Sequence, residues 1–367
     1  MEQLVSNEAA RRQKLVARWL YLGVGMLVVQ IALGGITRLT GSGLSITEWM
    51  PILGVFPPLN EHAWQLAFEK YQGIAQFRVL NAHFTLSDFK AIYFWEWAHR
   101  DWARLVGLVF LVGFIYFLVR KYFTKGMVIP LVILFLLGVA QGVIGWIMVR
   151  SGLNETNLYV SHIRLAVHFI SALVLLCYTL WFALLLSVPE SNRVFNKRLQ
   201  KQTIAIIAIL AIQLMYGAFM AGLRAAPFAP TWPGINGSLL PGQINHYGNQ
   251  TYHGIDQIFS NPLAVQFIHR SLAFIIFWLI FSWTFFTGKL AKRQAAETLK
   301  VWHWWPGIFV LLQVILGILA VTHSIQIVVG KFGVYEILAE SHQLVAMLLL
   351  VSLICNLYLL RGRQIAG

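Results

Sequence analysis

The stretch YFWEWAHRDWARLVGLVFLVGFIYFLVR, Tyr93–Arg120, decides how this chain is read. Its second half is an apolar run closed by Arg120, yet Glu96, His99, Arg100, Asp101 and Arg104 crowd into nine positions at its head. Charge in or beside a bilayer is expensive, so such a cluster marks function by default.

The rest of the chain repeats the apolar part of that pattern. Of 367 residues, 58% are hydrophobic and 11% charged, where a soluble domain carries roughly a quarter charged residues. Eight stretches are long enough to cross a bilayer as helices: about 19–37, 92–119, 127–148, 163–187, 203–223, 263–287, 302–322 and 338–360. The expected fold is an all-α integral membrane protein with eight transmembrane helices.

Lys and Arg set the orientation. They gather before the first span (Arg11, Arg12, Lys14, Arg18) and after the second (Arg120, Lys121, Lys125). They recur after the fourth (Arg193, Lys197, Arg198, Lys201), after the sixth (Lys289, Lys292, Arg293, Lys300) and at the end (Arg361, Arg363). Basic loops stay on the cytoplasmic side, so both termini are expected there, or on the matrix side of a mitochondrial inner membrane. The net charge of +14 is then a topology signal, and no nucleic-acid partner is needed to explain it. No small-residue cleavage site follows the first span, which is expected to be retained. The two cysteines, Cys177 and Cys355, fall inside spans and build neither a disulfide framework nor a thiolate metal site.

The spans repeat. The odd-numbered ones carry Gln-x-x-x-Gly: Gln30 and Gly34, Gln141 and Gly145, Gln213 and Gly217, Gln313 and Gly317. Among the even ones, HRDWARLVGLVF from His99 resembles HRSLAFIIFWLI from His269, and HFISALVLL from His168 resembles HQLVAMLLL from His342. The expected organisation is two tandem pseudo-symmetric four-helix bundles, residues 1–190 and 191–367, in the same orientation. Gln-x-x-x-Gly reads in two ways: close packing with the amide bonding to a neighbouring helix, or amides touching something bound between helices. Of the outer loops, 38–91 includes EHAWQLAFEKY, where Trp64, Phe68 and Tyr71 form a helical stripe expected to lie on the membrane surface or cap a cavity. The loop 224–261 carries TWPGINGSLLPG, rich in turn residues.

Most of the eleven histidines need no special role. His62, His83, His246 and His253 fall in loops, and His303 at a cytoplasmic helix start. His99, His168, His269 and His342 differ, because each enters an even-numbered span from the outer side at an equivalent place in two repeats. Imidazole suits iron, and a bundle can aim facing side chains at a cofactor in its core. A haem in each half would take His99 with His168, and His269 with His342, as axial ligands. Arg100 and Arg270, beside two of them, are placed either to meet haem propionates or to snorkel to the interface. Glu96 lies one turn before His99, where the other half has Gln266. A carboxylate in one site only is expected to mark the acting site, accepting or passing a proton. The alternative is a Glu96–Arg100 helix pair that neutralises charge. Asp101 is placed to pair with Arg104.

These residues resemble the haem A synthase family of bacteria and mitochondria (Cox15/CtaA) over nearly the whole chain. The stretches that carry the resemblance are GGITRLTGSGLSITEWMPILGVFPPL, FKAIYFWEWAHR, VSHIRLAVHF, GAFMAGL with TWPGING, QFIHR and SHQL. It implies oxidation of the C8 methyl of haem O to the formyl group of haem A, by two hydroxylations and a dehydration, with water as the oxygen source. It also implies that Glu96, His99 and His168 hold and act on the substrate haem O, and that His269 and His342 hold a permanent haem b that relays electrons. Haem O synthase and terminal oxidase assembly are the implied partners, besides the membrane lipid; no electron acceptor is implied. Some members carry a cysteine pair in an outer loop. This chain has none there and is similar to the cysteine-less branch.

Two other classes fit parts of the pattern. A dihaem b-type electron carrier, such as a quinol-linked cytochrome, explains four histidines but gives Glu96 no task. A transporter fits tandem repeats with intramembrane polar residues, but the spans show no paired breaks around a midplane site.

Overall fold

The computed structural model describes residues 2–50, 53–239, 246–247, 250–326 and 332–362. Pro51, Ile52, Leu240 to Gly242 and Arg363, cited above, lie outside them. The helices are α1 (Glu2–Leu39), α2 (Glu61–Gln72), α3 (Leu86–Val119), α4 (Lys125–Arg150), α5 (His162–Ser187) and α6 (Lys197–Gly222). They continue with α7 (Ile255–Phe259), α8 (Pro262–Arg293), α9 (Glu297–Trp302), α10 (Trp304–Thr322) and α11 (Val334–Leu359). Eight segments are long and apolar enough to span a membrane: most of α1, then α3, α4, α5, α6, α8, α9 with α10, and α11. The protein is an all-α integral membrane protein. A hairpin of two-residue strands, His246–Tyr247 with Gln250–Thr251, decorates one loop.

Local chemistry fixes where the spans begin. Thr85 and Asp88 form a reciprocal capping box that starts α3, which satisfies orphan N–H groups at the helix end. Ser161, Asn196 and Asn261 cap α5, α6 and α8 through their side-chain oxygens. Proline at the first position of α8 suits a site with no N–H to satisfy. Because α3 starts at Leu86, His99 lies more than three turns into its helix, deeper than a span beginning at 92 implies.

The dry centre runs along α1, α5, α6 and α11. Leu20, Leu27 and Ile31 of α1 join Leu173 and Leu176 of α5, Leu210 of α6 and Leu349 and Leu353 of α11 in one buried cluster. Within it the Trp283 indole of α8 donates to Thr203 Oγ1 of α6 at 2.8 Å. Outward faces, such as Leu108, Val112, Ile115 and Val119 of α3, are exposed and apolar, as contact with lipid tails requires. Cys355 is buried and Cys177 partly so, both unpaired.

One local reading gains a target. The stripe on α2 faces protein. Trp64, Phe68 and Tyr71 pack on Phe89 at the head of α3, with centroids 6.3, 5.1 and 5.4 Å away, and Trp64 meets Tyr93 edge-on at 4.9 Å. The Tyr71 hydroxyl donates to Gln76 and accepts from Asn81, and burial pushes it up to about 12. His303 is buried in the break between α9 and α10, against Gly288 of α8.

Candidate functional site: one cavity and four histidines

A cavity of about 1110 Å³ runs through the membrane-spanning region and is lined by His99, His168, His269 and His342 together. It exceeds the ~300–1,000 Å³ of an ordinary small-molecule site. Arg100, Arg270, Glu96, Arg38, Trp49 and Trp232 also line it.

Each histidine is seated by the neighbouring odd-numbered span, and Gln-x-x-x-Gly is the seat. Gln30 reaches His99 Nδ1 at 3.1 Å and Gln141 reaches His168 Nδ1 at 3.2 Å. Gln213 and Gln313 stand 3.4 and 3.0 Å from Nε2 of His269 and His342. One turn along, a Cβ on Gly34, Gly145, Gly217 or Gly317 would meet Cε1 of the same ring at 3.1, 2.8, 3.3 or 2.9 Å. The absent side chain leaves a slot in which the imidazole edge rests, and the amide closes it. The motif thus packs helix on helix and touches the candidate ligands. Its spacing was legible in sequence, but its target was not.

His269 and His342 face each other with ring centroids 6.3 Å apart and planes at 70°. A metal–imidazole bond of about 2 Å on each side, plus the half-width of each ring, accounts for such a gap. Among the described residues, no three His, Cys, Asp or Glu side chains converge to hold a metal ion. Two protein ligands suit an iron that arrives with a macrocycle's own nitrogens. The pair therefore fits a haem.

Glu96 and Gln266 do related jobs with opposite polarity. Glu96 is 2% exposed and fully engaged. Its Oε2 accepts from Ser45 Oγ at 2.7 Å and Ile46 N at 2.8 Å, and its Oε1 accepts from Arg100 at 2.6 Å. Gln266, fully buried, donates instead to the Ala229 carbonyl at 3.1 Å, and its own Oε1 finds no partner among the described residues. One loop offers donors to a carboxylate; the other offers an acceptor to an amide.

The two arginines also act on these loops. Arg100 donates to the carbonyls of Ile46 at 3.0 Å and Glu48 at 3.1 Å. Arg270 donates to those of Ala229, Thr231 and Gly234 at 2.9–3.1 Å. A guanidinium has five N–H donors, so each clamps its loop with donors left over. Arg104 pairs with Asp101 at 3.4 Å and holds the Met50 carbonyl at 3.0 Å. Trp49 packs at a tilt on Trp146 at 5.8 Å and Trp232 stacks on Phe274 at 5.6 Å, both on the cavity wall.

One group went unseen in sequence. Glu336 and Glu340 are buried near the start of α11, and Glu340 lacks any partner for either oxygen among the described residues. Both sit toward α1, where Gly35 faces Glu340 and Gln343 and Arg38 is half-buried. The signal was available: two carboxylates four apart within or beside an apolar span.

These features define a class: a polytopic helical membrane protein whose internal cavity is built around paired, helix-seated histidines suited to haem. The chain belongs to the COX15-CtaA family, described as cytochrome oxidase assembly protein, whose model matches residues 17–354. It is 38% identical over 331 residues to the haem A synthase of Bartonella tribocorum, covering 90% of each chain. It is 37% identical over 358 residues to that of Flavobacterium johnsoniae, covering 95% of this chain and 98% of the relative. With the haem A synthase of Rhodospirillum centenum it shares 40% identity over 329 residues, 87% of this chain and 86% of the other.

Proposed function

We propose that the chain is a haem A synthase that oxidises the C8 methyl of haem O to a formyl group, supplying haem A for terminal oxidases. The observation that carries this reading is the asymmetry of the histidine sites: a carboxylate held by three donors stands one turn before His99, and an amide stands before His269. Relatives at this identity bear the same name.

In this reading residues 1–190 form the substrate half and residues 191–367 the cofactor half. His99 and His168 hold the iron of haem O, and their slots fix the ring so that one edge stays in register with Glu96. Each hydroxyl installed from water releases two electrons to an external acceptor and two protons, one of which Glu96 takes from water or methyl, and the resulting diol loses water to give the aldehyde. Ser45 and Ile46 orient the carboxylate, and Arg100 balances its charge. His269 and His342 hold a haem b, which supplies a one-electron redox centre when bound. The spare donors of Arg100 and Arg270 meet propionates. Both termini lie on the cytoplasmic or matrix side, as the Lys and Arg distribution supports. Haem O synthase and the assembling oxidase are the partners at either end.

The test is a pigment assay. The chain is expressed with a haem O synthase in a host lacking its own haem A pathway, and extracted haems are separated. Haem A, or a hydroxylated haem intermediate, is the expected product. Haem B and haem O alone, from haem-loaded protein supplied with an oxidant able to accept electrons, would instead mark a dihaem b-type carrier.

A further inference from the structure

Consecutive spans joined by a short connection normally pack side by side. α3 and α4 are joined by Arg120–Thr124 and yet do not. α3 packs on α1 and α2, α4 packs on α5, and what spans the gap is Phe110 stacked on Phe135, centroids 6.3 Å apart. The next pair in the same sequence order, α8 and α10, packs closely.

The residues explain the difference. Gly107 of α3 and Gly138 and Gly142 of α4 line the cavity, and a Cβ on any of them would meet nothing within 4 Å. Counting from the histidine and glutamine that the two halves share, the matching positions are Phe277, Val310 and Val314. Val310 is buried in the core, and Phe277 packs against it. One half fills this seam with side chains; the other empties it with glycine. Such glycines weaken a helix, which close helix packing normally offsets. Here no described residue comes within 4 Å of where their side chains would begin. Phe135 and Val139, on the same cavity wall, are about half exposed, so the cavity reaches the lipid-facing surface between α3 and α4.

We infer that this cleft is a subsite and lateral portal for the long isoprenoid chain by which haem O differs from haem B. The inference rests on the reading of His99 and His168 as the substrate site. The chain lies over Gly107, Gly138 and Gly142, flanked by Phe110 and Phe135, with its end in the hydrocarbon. An apolar tail of that length would cost much if held in water, and a membrane-facing slit spares it that exposure. In the α8–α10 seam the matching positions carry Phe277, Val310 and Val314 in place of the three glycines, in keeping with a tail-less haem there.

The experiment copies the closed seam into the open one. Gly138→Val with Gly142→Val, and separately Gly107→Phe, are purified with the second-half haem loaded. They are titrated with haem O, haem B and haem O analogues of shortened chain. The expected result is a loss of haem O affinity of at least about tenfold, the scale of a few unburied methylenes. Haem B binding and the resident haem spectrum stay unchanged, the latter reporting an intact fold. Wild-type affinity should rise with chain length, and the filled variants should lose that dependence. Unchanged haem O binding in both variants, equal loss of haem O and haem B, or no chain-length dependence in the wild type would overturn the proposal. His99→Ala is the separate control. Haem O binding that survives it would refute the substrate-site reading, whatever the cleft variants do.

Discussion

Gly317 and His342 touch across the seam between α10 and α11: a Cβ on Gly317 would stand 2.9 Å from the imidazole Cε1. Gly317→Val should therefore turn the ring out of its seat. Purified protein is expected to lose most of its second-half haem, read from the reduced-minus-oxidised spectrum, while Gly317→Ala keeps a fraction of it. A wild-type spectrum from the valine variant would mean that packing does not hold the ring.

His269 and His342 are expected to be jointly required for that spectrum. Alanine at either should abolish the low-spin b-type signal, and the same change at His99 or His168 should leave it in place. A low-spin signal surviving both second-half variants would locate the resident haem elsewhere.

Glu96→Gln replaces an acceptor with an NH₂ group that faces Ser45 Oγ, Ile46 N or Arg100. Haem should stay bound, while formyl production falls by about a hundredfold or more, the usual scale for losing a positioned proton acceptor. Ser45→Ala, which removes one orienting donor and keeps the carboxylate, should cost only a few-fold. Equal losses in the two variants would reduce Glu96 to a loop anchor.

Gln266→Glu is the reverse exchange. It sets a carboxylate oxygen against the Ala229 carbonyl that the amide now serves at 3.1 Å. The expected penalty is about 1–3 kcal/mol in stability, measured as thermal unfolding in detergent. Unaltered stability would mean that this loop relaxes freely.

Much of the architecture could be read before any coordinates. Eight apolar runs of spanning length dictate eight helices, because a backbone in hydrocarbon must satisfy itself. The four histidines stood out through repetition, and the structure brings all four to one cavity. What could not be read was partnership between helices. Gln30 and Gly34 show their spacing on one helix, but the ring they seat belongs to another, 69 residues from the glutamine. The clamps from Arg100 and Arg270 to loop carbonyls escaped for the same reason, since irregular loops carry no period that places a carbonyl. The α2 stripe was found but its protein target was not: an amphipathic face fits protein as well as lipid, and Phe89 lies within reach.

Gly34 and Gly35 are neighbours in sequence and face different worlds. A side chain at the first would press on His99, and one at the second would overlap Glu340 and Gln343, the latter adjoining His342. Two bonded residues of α1 thus form a partition of no side-chain thickness between the halves, and neither surface can be altered without the other sensing it. The sequence repeats like two modules, yet a chain severed near residue 190 would leave the second part without its party wall. The glycine pair makes one dwelling of two rooms.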